Sequence, residues 1–297
     1  MKNKELPLVS VIITTYKRAD FLSRAIESVL SQDYLNIEIL VIDDNDPSSE
    51  FRKETSRLME RYCEDERVYY IKHNKNKNGA TARNTGINHS KGFYITFLDD
   101  DDNYKSEKVS SQVNYLIGNP QYKAVYCGWI RENKIETPNI VGDLSYEILS
   151  GDLLIRTNTI MMEKSVSEKI GNWDSNYSRN QEAAYLLRFF RNGYLIGSVP
   201  KPLVEFDTSD RGNAANPKKN QENFEFFLKD QEKYMNSKFT KEEIDEIVLK
   251  RMRGVGLGYL KNHSYLGFAK LYFKMIINYP IKYNKYFICY LKDRITN

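Results

Sequence analysis

The sequence predicts an α/β protein in which a mostly parallel sheet is flanked by helices. Over the first 100 residues, short apolar segments rich in β-branched side chains alternate with longer amphipathic segments. This alternation is typical of βαβ units, whose strands run parallel. Two of the apolar segments, 37–42 and 93–98, lead directly into aspartates. The length of 297 residues is enough for one large α/β domain with an appendage.

The first half of the chain supplies the regular part of this pattern. Residues 8–14 have the continuous apolar character of a buried parallel strand. Asp20 is placed to cap a helix that runs to about Ser31. The remaining elements predicted here are strand 37–42, a charged helix at about 50–63, strand 68–71, a helix from about Ala80 to His89 and strand 93–98.

The second half is less regular. Its predicted elements are a helix at about 105–117, strands 123–130 and 153–162, a short helix ending at Gly171, a helix at about 180–192 and strand 194–199. From about residue 221 the chain reads as helical to its end. We therefore expect one domain over 1–205, with halves at about 7–102 and 103–205. A loop and a helical C-terminal extension follow over 206–297.

The positive charge of the chain is concentrated in its tail. The whole sequence has a net charge of +4, but residues 251–297 contain nine Lys/Arg, one acid and ten Tyr/Phe. Basic and aromatic residues mixed in this way suit helices that lie on an anionic membrane surface. The alternative is a helical hairpin packed on the preceding domain or on a second copy of the chain, giving a homo-oligomer. Nucleic acid is disfavoured as a partner because no recognised binding module accompanies the tail.

Cysteine usage and apolar run length indicate the compartment. The three cysteines, Cys63, Cys127 and Cys289, are far apart and form no C-x-x-C pair. This argues against a disulfide framework and against a structural zinc site, and it suits a reducing compartment. The first five residues lead straight into a strand, and no apolar run is long enough to span a bilayer. We expect a cytoplasmic protein, at most peripheral on the inner face of the plasma membrane.

Two groups of aspartates follow predicted strands. Asp43 and Asp44 follow strand 37–42, and the run from Asp99 to Asp102 follows strand 93–98. Carboxyl ends of parallel strands meet at the edge where open α/β sheets bind ligands. Four adjacent carboxylates repel each other unless a cation compensates, and their hard oxygens favour Mn²⁺ or Mg²⁺ shared with a phosphate. The alternative is a solvated acidic loop.

Four motifs in order, 9–16 (VSVIITTY), 41–45 (VIDDN), 82–86 (ARNTG) and 97–102 (FLDDDD), resemble the nucleotide-binding half of family 2 glycosyltransferases. These are inverting enzymes with the GT-A fold, a Rossmann-like sheet flanked by helices. The resemblance continues more loosely to about residue 205. It implies a catalytic domain over 1–205, with a nucleotide-binding half and then an acceptor half.

The resemblance also implies residue roles. It implies that Thr14 and Tyr16 hold the nucleotide base and that Asp44, with Asp43 beside it, accepts the uracil N–H. Arg83 would lie against the nucleotide. The D-x-D motif maps to Asp99-Asp100-Asp101, with Asp101 on the metal and Asp99 or Asp100 on the ribose or a metal-bound water. The alternatives are a loop tyrosine for Tyr16, helix capping for Asp43 and Asp44, and a structural salt bridge for Arg83.

Glu182 occupies the family's position for the catalytic base, which takes the proton of the acceptor hydroxyl. The family more often has Asp here with a second acid nearby, and Ala183 and Ala184 remove that neighbour. The alternative for Glu182 is a solvated carboxylate at a helix start. Asp174 is the second candidate for the base.

The function implied is a metal-dependent inverting transfer of one sugar from a nucleotide-sugar donor, UDP-linked, to an acceptor hydroxyl. The acceptor would be a glycan or a lipid-linked oligosaccharide in bacterial surface-polysaccharide assembly. Polymerising members carry Q-x-x-R-W and membrane-spanning helices, and the sequence has neither. The alternatives are a nucleotidyltransferase, although the glycine-rich loop after the first strand is missing, and a non-catalytic scaffold with the same fold.

Overall fold

The computed structural model describes residues 6–209 and 216–285, which form two compact units. The first unit contains residues 6–144, 155–176 and 184–209. The second contains residues 145–154, 177–183 and 216–285. The end of the predicted membrane-binding tail, 286–297, lies outside the described residues.

The first unit is built on one nine-stranded sheet. Its strands are β1 (Val9–Thr15), β2 (Ile37–Asp43), β3 (Val68–Lys72), β4 (Tyr94–Asp99), β5 (Asn103–Tyr104), β6 (Tyr122–Arg131), β7 (Lys134–Glu136), β8 (Met161–Glu163) and β9 (Leu195–Glu205). The order across the sheet is β3-β2-β1-β4-β8-β6-β9-β5, and β7 pairs with β6 off this path. The strands β3, β2, β1 and β4 are all parallel. β8 is antiparallel to both β4 and β6, while β6 and β9 are parallel.

The helices are α1 (Ala19–Leu30), α2 (Glu50–Met59), α3 (Asn78–His89), α4 (Lys108–Gly118), α5 (Ser145–Ser150), α6 (Lys164–Ile170), α7 (Gln181–Arg191), α8 (Pro217–Lys238), α9 (Lys241–Lys261) and α10 (Tyr265–Asn278). The predicted α/β architecture is therefore confirmed. The sheet is uniformly parallel only in its first half, because β8 enters between β4 and β6 in the opposite direction.

The parallel half is positioned by close packing on both faces of the sheet. β2 is buried along its whole length and β1 along nearly all of it, which agrees with their continuous apolar sequences. α1 and α3 both pack on β1. At Gly86 of α3 a Cβ atom would lie 2.3 Å from Cγ2 of Ile12, so only glycine lets this helix approach β1 so closely.

Two local predictions were wrong. α1 begins at Ala19, so Asp20 lies in its first turn and does not cap it. Residues 153–162 do not form one strand: 157–159 make a 3₁₀ turn and only 161–163 are in the sheet. The reason is that side chains, not a neighbouring strand, satisfy this backbone. Gln112 Nε2 donates to the carbonyl of Thr159 at 2.8 Å, and the Thr96 hydroxyl donates to that of Ile160 at 2.7 Å.

The second unit is helical. α8, α9 and α10 pack on one another in chain order, and α5 packs on α9. α9 begins with a capping box between Thr240 and Glu243. Its residue Arg251 is buried and donates from Nε to the carbonyl of Leu149 at 2.7 Å, which fixes the end of α5. Over residues 6–209 and 216–285, no helix combines the length and apolarity that crossing a membrane requires.

Candidate functional site

The site lies in the first unit, at the edge where β1, β2 and β4 end. The parallel register aligns Thr14 of β1 with Asp99 of β4. It aligns Thr15 with Asp43 of β2. Both predicted aspartate groups therefore reach the same edge of the sheet, beside the half-buried Thr14 and the loop that begins at Tyr16.

Asp43 is enclosed by protein donors. Its side chain is 0% exposed. Its Oδ2 accepts the Tyr70 hydroxyl at 2.5 Å and lies 2.9 Å from Nε of Arg52, while Oδ1 accepts the backbone and side-chain N–H groups of Asn45. Asp43 therefore organises the turn after β2. Neither carboxylate oxygen of Asp43 is exposed, so this structure leaves no room for the direct contact with a nucleotide that the resemblance implied.

Asp44 is held by the loop that follows β3. Its Oδ1 accepts from Nδ1 of His73 at 2.7 Å and from the backbone N–H of Lys77 at 2.8 Å. Its Oδ2 accepts from Nδ2 of Asn76 at 3.0 Å. Because an ionised carboxylate only accepts hydrogen bonds, Nδ1 of His73 carries a proton. The other ring nitrogen, Nε2, lies 2.8 Å from the hydroxyl of Thr85 on α3.

Arg83 joins α3 to the acidic run. Its Nη2 donates to Oδ1 of Asp99 at 2.7 Å, and its guanidinium carbon lies 5.2 Å from the centre of the Trp173 ring. Trp173 is itself fixed, because its ring stacks on Tyr185 at 4.3 Å. The salt bridge considered as an alternative for Arg83 is thus present. The cation–π contact with Trp173 and the hydrogen bond to Asp99 together hold the Arg83 guanidinium at the edge of the site.

The aspartates after Asp99 are crowded and largely buried. Burial raises the pKa of Asp100 to about 7, and repulsion by Asp101 adds to this. Burial and repulsion by Asp99 and Asp101 raise the pKa of Asp102 to about 8. The pKa of Asp101 is also raised, by burial and by Asp99. Burial is the largest cause of each shift, and repulsion between neighbouring carboxylates adds to it, so the charged form of the run is disfavoured.

Asp102 connects the run to the end of β9. Its carboxylate accepts Nδ2 of Asn158 and the backbone N–H of Asp207, the latter at 2.9 Å. Asp207 in turn lies 2.7 Å from Nη2 of Arg24 on α1. The Ser209 hydroxyl and then Arg24 lower the pKa of Asp207 to about 2. Asp102 is thus a buried anchor between two strand ends.

The loop after β1 is pinned against the acidic run. The backbone N–H of Tyr16 donates to Oδ2 of Asp100 at 3.2 Å, and that of Lys17 donates to Oδ1 of Asn45 at 2.8 Å. The Tyr16 ring is 43% exposed, with Nζ of Lys17 4.9 Å from its centre. A half-exposed ring on this loop can stack on a planar base. The guanidinium of Arg18 contacts Oδ2 of Asp101.

Glu182 belongs to the second unit. It lies in the first turn of α7, is partly buried, and interacts electrostatically with Arg251. The structure therefore brings together Thr14, Tyr16, Asp43, Asp44, Arg83 and Asp99–Asp102 within one unit, and it assigns Glu182 to the other.

The acidic run fits a divalent cation in its donor chemistry. Carboxylate oxygens are the ligands Mg²⁺ and Mn²⁺ prefer, and the side chains of Asp99 and Asp101 are 37% and 21% exposed. Within the described residues, no three His, Cys, Asp or Glu side chains converge as a ready metal cage. Asp99 faces Arg83 and Asp101 faces Arg18 instead. A cation held here takes its remaining ligands from water or a phosphate.

Three residues of this site were missed from the sequence. Arg18 and His73 follow the carboxyl ends of β1 and β3, so the rule that placed the aspartates at this edge could also have found them. Asn158 gave no comparable signal, because it lies in an irregular segment whose contact with Asp102 spans 56 residues.

Two known glycosyltransferases match part of this sequence. An uncharacterized glycosyltransferase of Rickettsia felis is 42% identical over 108 residues, which is 36% of this chain and 17% of that protein. The Escherichia coli protein WfaP, a UDP-Glc:alpha-D-GlcNAc-diphosphoundecaprenol beta-1,3-glucosyltransferase, is 38% identical over 111 residues. That match covers 37% of this chain and 42% of WfaP. The matched region is thus less than half the length of each relative.

A solved structure shares the fold. The mannosyltransferase PcManGT from Pyrobaculum calidifontis, in complex with GDP-Man and Mn²⁺, superposes with a TM-score of 0.64 at 15% identity, covering 96% of this chain and 84% of that one. The predicted GT-A fold is confirmed by this likeness. The family model described as "Glycosyl transferase family 2" matches residues 10–173. Because that match includes more than half of the chain, the chain belongs to glycosyltransferase family 2.

Proposed function

We propose that the protein is an inverting glycosyltransferase that moves one sugar from a nucleotide-sugar, most simply a UDP-sugar, to an acceptor hydroxyl. The observation that carries this proposal is the meeting of Tyr16, Asp44 and the Arg83–Asp99 pair at one sheet edge. This edge offers a ring for a base, a carboxylate for an imide N–H and a guanidinium for a diphosphate.

The nucleotide would lie on the loop after β1. In this proposal Tyr16 stacks on the base and Thr14 borders it. Asp44, whose side chain is 4% exposed, accepts the imide N–H of uracil through Oδ2, which accepts from Nδ2 of Asn76 and can accept a second hydrogen bond. Asp43 acts indirectly, by fixing the turn that carries Asp44. The donor of WfaP, named as UDP-Glc, supports a uridine nucleotide.

The diphosphate would lie between Arg83 and the acidic run. Asp101 and Asp99 would hold Mn²⁺ or Mg²⁺, and Asp100 would hold the ribose or a metal-bound water. When bound, the divalent cation supplies Lewis-acid neutralisation of the charge that develops on the departing nucleotide. Arg83 supplies a fixed positive charge for the same group. The Mn²⁺ in the PcManGT complex supports this assignment.

The transfer step needs one base and no covalent intermediate. The acceptor oxygen forms a bond to the anomeric carbon as the bond from that carbon to the diphosphate oxygen breaks. The hydroxyl proton passes to a carboxylate, for which we propose Glu182, and the bonding electrons leave with the nucleotide. Attack from the opposite face inverts the anomeric centre, so an α-linked donor gives a β-linked product.

The acceptor we propose is a lipid-linked oligosaccharide used in surface-polysaccharide assembly, reached at the inner face of the plasma membrane. The diphosphoundecaprenol acceptor in the name of WfaP supports this class. The outer face of α10 supports the location. Leu266, Phe273 and Ile277, spaced by seven and four residues, are 71%, 65% and 79% exposed, whereas Leu271 and Met275 are buried. Large apolar side chains presented together on a helix mark an interaction surface.

Charge favours an anionic membrane as the occupant of this face. No Asp or Glu occurs between Glu246 and Asp293, and this stretch contains nine Lys/Arg. Arg251 among them is buried, and Lys250, Lys274 and Lys282 pair with acids elsewhere in the second unit. Lys270 is exposed on the same side of α10 as the apolar residues. Basic residues beside an apolar helix face add electrostatic attraction to anionic lipids, on the order of 1 kcal/mol per residue. A second copy of the chain is the competing occupant.

The function is tested by a donor screen. The full chain is incubated with UDP-, GDP- and dTDP-sugars, Mn²⁺ and a diphosphoundecaprenol-linked sugar acceptor, and nucleotide release and product are measured. We expect release from a UDP-sugar. Glu182→Gln should keep UDP affinity and lose transfer by about 10²-fold or more, whereas Glu232→Gln, on the exposed surface of α8, should match the wild type. UDP binding without turnover on any acceptor would favour the scaffold alternative, and near-normal turnover of Glu182→Gln would exclude it as the base.

The membrane surface is tested by sedimentation with vesicles of phosphatidylcholine alone or with phosphatidylglycerol. We expect the wild type to sediment only with the anionic vesicles and Phe273→Glu/Ile277→Glu to stay in solution. Leu35→Glu/Ile135→Glu makes the same change at exposed apolar residues of the first unit and should behave as the wild type. Equal sedimentation of all variants would exclude this face of α10 as a membrane-binding surface. A dimer in solution that the α10 variant dissociates would identify a second copy instead.

A further inference from the structure

Arg18 lies where a metal ion would bind. Its Nη1 contacts Oδ2 of Asp101 and lies 3.7 Å from Oδ1 of Asp100. The side chains of Arg18 and Asp101 are 25% and 21% exposed, and that of Asp100 is 6% exposed. An ion pair with this degree of burial is only partly screened by solvent. The carboxylate proposed above as the metal ligand thus already has a monovalent counter-cation from the chain itself.

The backbone around Arg18 directs the side chain into this position. Lys17 has a φ of +62°, in the left-handed region that non-glycine residues rarely adopt. That conformation is maintained by the bonds of Tyr16 N–H to Asp100 and of Lys17 N–H to Asn45. α1 then begins at Ala19, so Arg18 is the residue directly before the first turn of that helix. A strained residue fixed from both sides is typical of functional loops.

A guanidinium and a divalent cation on the carboxylate of Asp101 repel each other, and Nη1 of Arg18 already takes up part of its acceptor capacity at Oδ2. Metal binding therefore competes with the Arg18–Asp101 pair. A nucleotide diphosphate offers the displaced guanidinium an alternative partner, because two phosphate groups match its fork of donors. Binding of the nucleotide would then release Asp101 for the metal.

We propose that Arg18 is a competing counter-cation that makes binding of the divalent ion depend on binding of the nucleotide diphosphate. The metal competition needs no nucleotide, whereas its relief by a diphosphate rests on the proposed function. By thermodynamic reciprocity, the factor by which the diphosphate tightens metal binding equals the factor by which the metal tightens diphosphate binding. Replacing Arg18 by a neutral side chain should therefore strengthen metal binding to the nucleotide-free protein, because Asp101 then has no competing cation from Arg18.

The test is a Mn²⁺ titration of the full chain without nucleotide, with free Mn²⁺ measured by electron paramagnetic resonance. We expect Arg18→Gln to bind Mn²⁺ at least about 10-fold more tightly than the wild type, or about 1.4 kcal/mol. Arg18→Lys keeps a cation and should remain within about 3-fold of the wild type. The control Arg67→Gln removes an equal charge next to the opposite end of β3, where Arg67 pairs with Asp65, and should change nothing. Thermal melting verifies that each variant is folded.

A second series adds saturating UDP. We expect UDP to tighten Mn²⁺ binding clearly more in the wild type than in Arg18→Gln. Equal or weaker Mn²⁺ binding by Arg18→Gln without nucleotide would overturn the proposal, as would the lack of measurable Mn²⁺ binding by every variant. If Arg18→Gln binds Mn²⁺ more tightly but UDP binds no variant, the competition stands and the nucleotide-sugar function fails.

Discussion

Lys108 allows a quantitative test of the packing beneath the site. Its side chain is 0% exposed, its Nζ donates to the hydroxyl of Thr96, and Nζ lies 3.9 Å from the centre of the Tyr104 ring. The ring favours the ammonium, but burial disfavours it more strongly and lowers the pKa of Lys108 to about 7. We expect this one residue to impose a pH dependence on the stability of the first unit.

The sign and size follow from proton linkage. An unfolded lysine has a pKa of 10.5, so between about pH 7 and 10.5 the unfolded chain binds one more proton than the folded chain. The free energy of unfolding then rises with pH by about 1.4 kcal/mol per pH unit, or about 3 kcal/mol between pH 7.5 and 9.5. Below pH 7 both states hold the proton, and the destabilisation is constant and greatest.

The assay is urea unfolding at pH 7.5, 8.5 and 9.5, followed by tryptophan fluorescence. Both tryptophans of the chain, Trp129 and Trp173, are buried in the first unit and report on it. Lys108→Met replaces the ammonium by an apolar chain of similar length. Its stability advantage over the wild type should shrink by about 3 kcal/mol across this range.

Lys105→Met is the matched control, since Lys105 is exposed and pairs with Glu205 at 2.6 Å. It should follow the pH profile of the wild type. Parallel profiles for the wild type and Lys108→Met would refute the reasoning, because they would mean that Lys108 keeps its ordinary pKa in the folded protein.

Three further predictions concern the site and the helix α3 beneath it. His73→Asn keeps a donor for Asp44 near the position of Nδ1, whereas His73→Gln places its donor near the position of Nε2. We therefore expect His73→Gln to weaken UDP binding about 10-fold more than His73→Asn does. Equal affinities in calorimetry would contradict this. Gly86→Ala should lower the free energy of unfolding by about 1–3 kcal/mol, since the new methyl overlaps Ile12, whereas Gly118→Ala, with open space around it, should cost less than about 0.5 kcal/mol. Arg83→Lys loses the planar contact with Trp173 and the guanidinium hydrogen bond to Asp99, so we expect about 10-fold weaker UDP binding. The control Arg67→Lys should bind UDP as the wild type does. Unchanged affinity of Arg83→Lys would mean that Arg83 does not contact the nucleotide.

The sequence alone determined the nucleotide-binding half and the edge at which its site lies. Continuous apolar segments at 8–14, 37–42 and 93–98 predicted strands, and β1, β2 and β4 follow within one residue. Helices between parallel strands require all these strands to end at one edge, so Asp44 and Asp99 had to meet Tyr16.

Only the tertiary structure decided which partner each carboxylate has. Asp43 is enclosed by Arg52 and Tyr70, Asp102 is held by Asn158, and Asp101 faces Arg18. These pairs join residues up to 83 positions apart along the chain. The same limit explains why residues 153–162 were predicted as one strand, although side chains of Gln112 and Thr96 satisfy their backbone. Local sequence patterns specify where a segment can be buried, but long-range hydrogen bonds select the partner, and no periodicity encodes that choice.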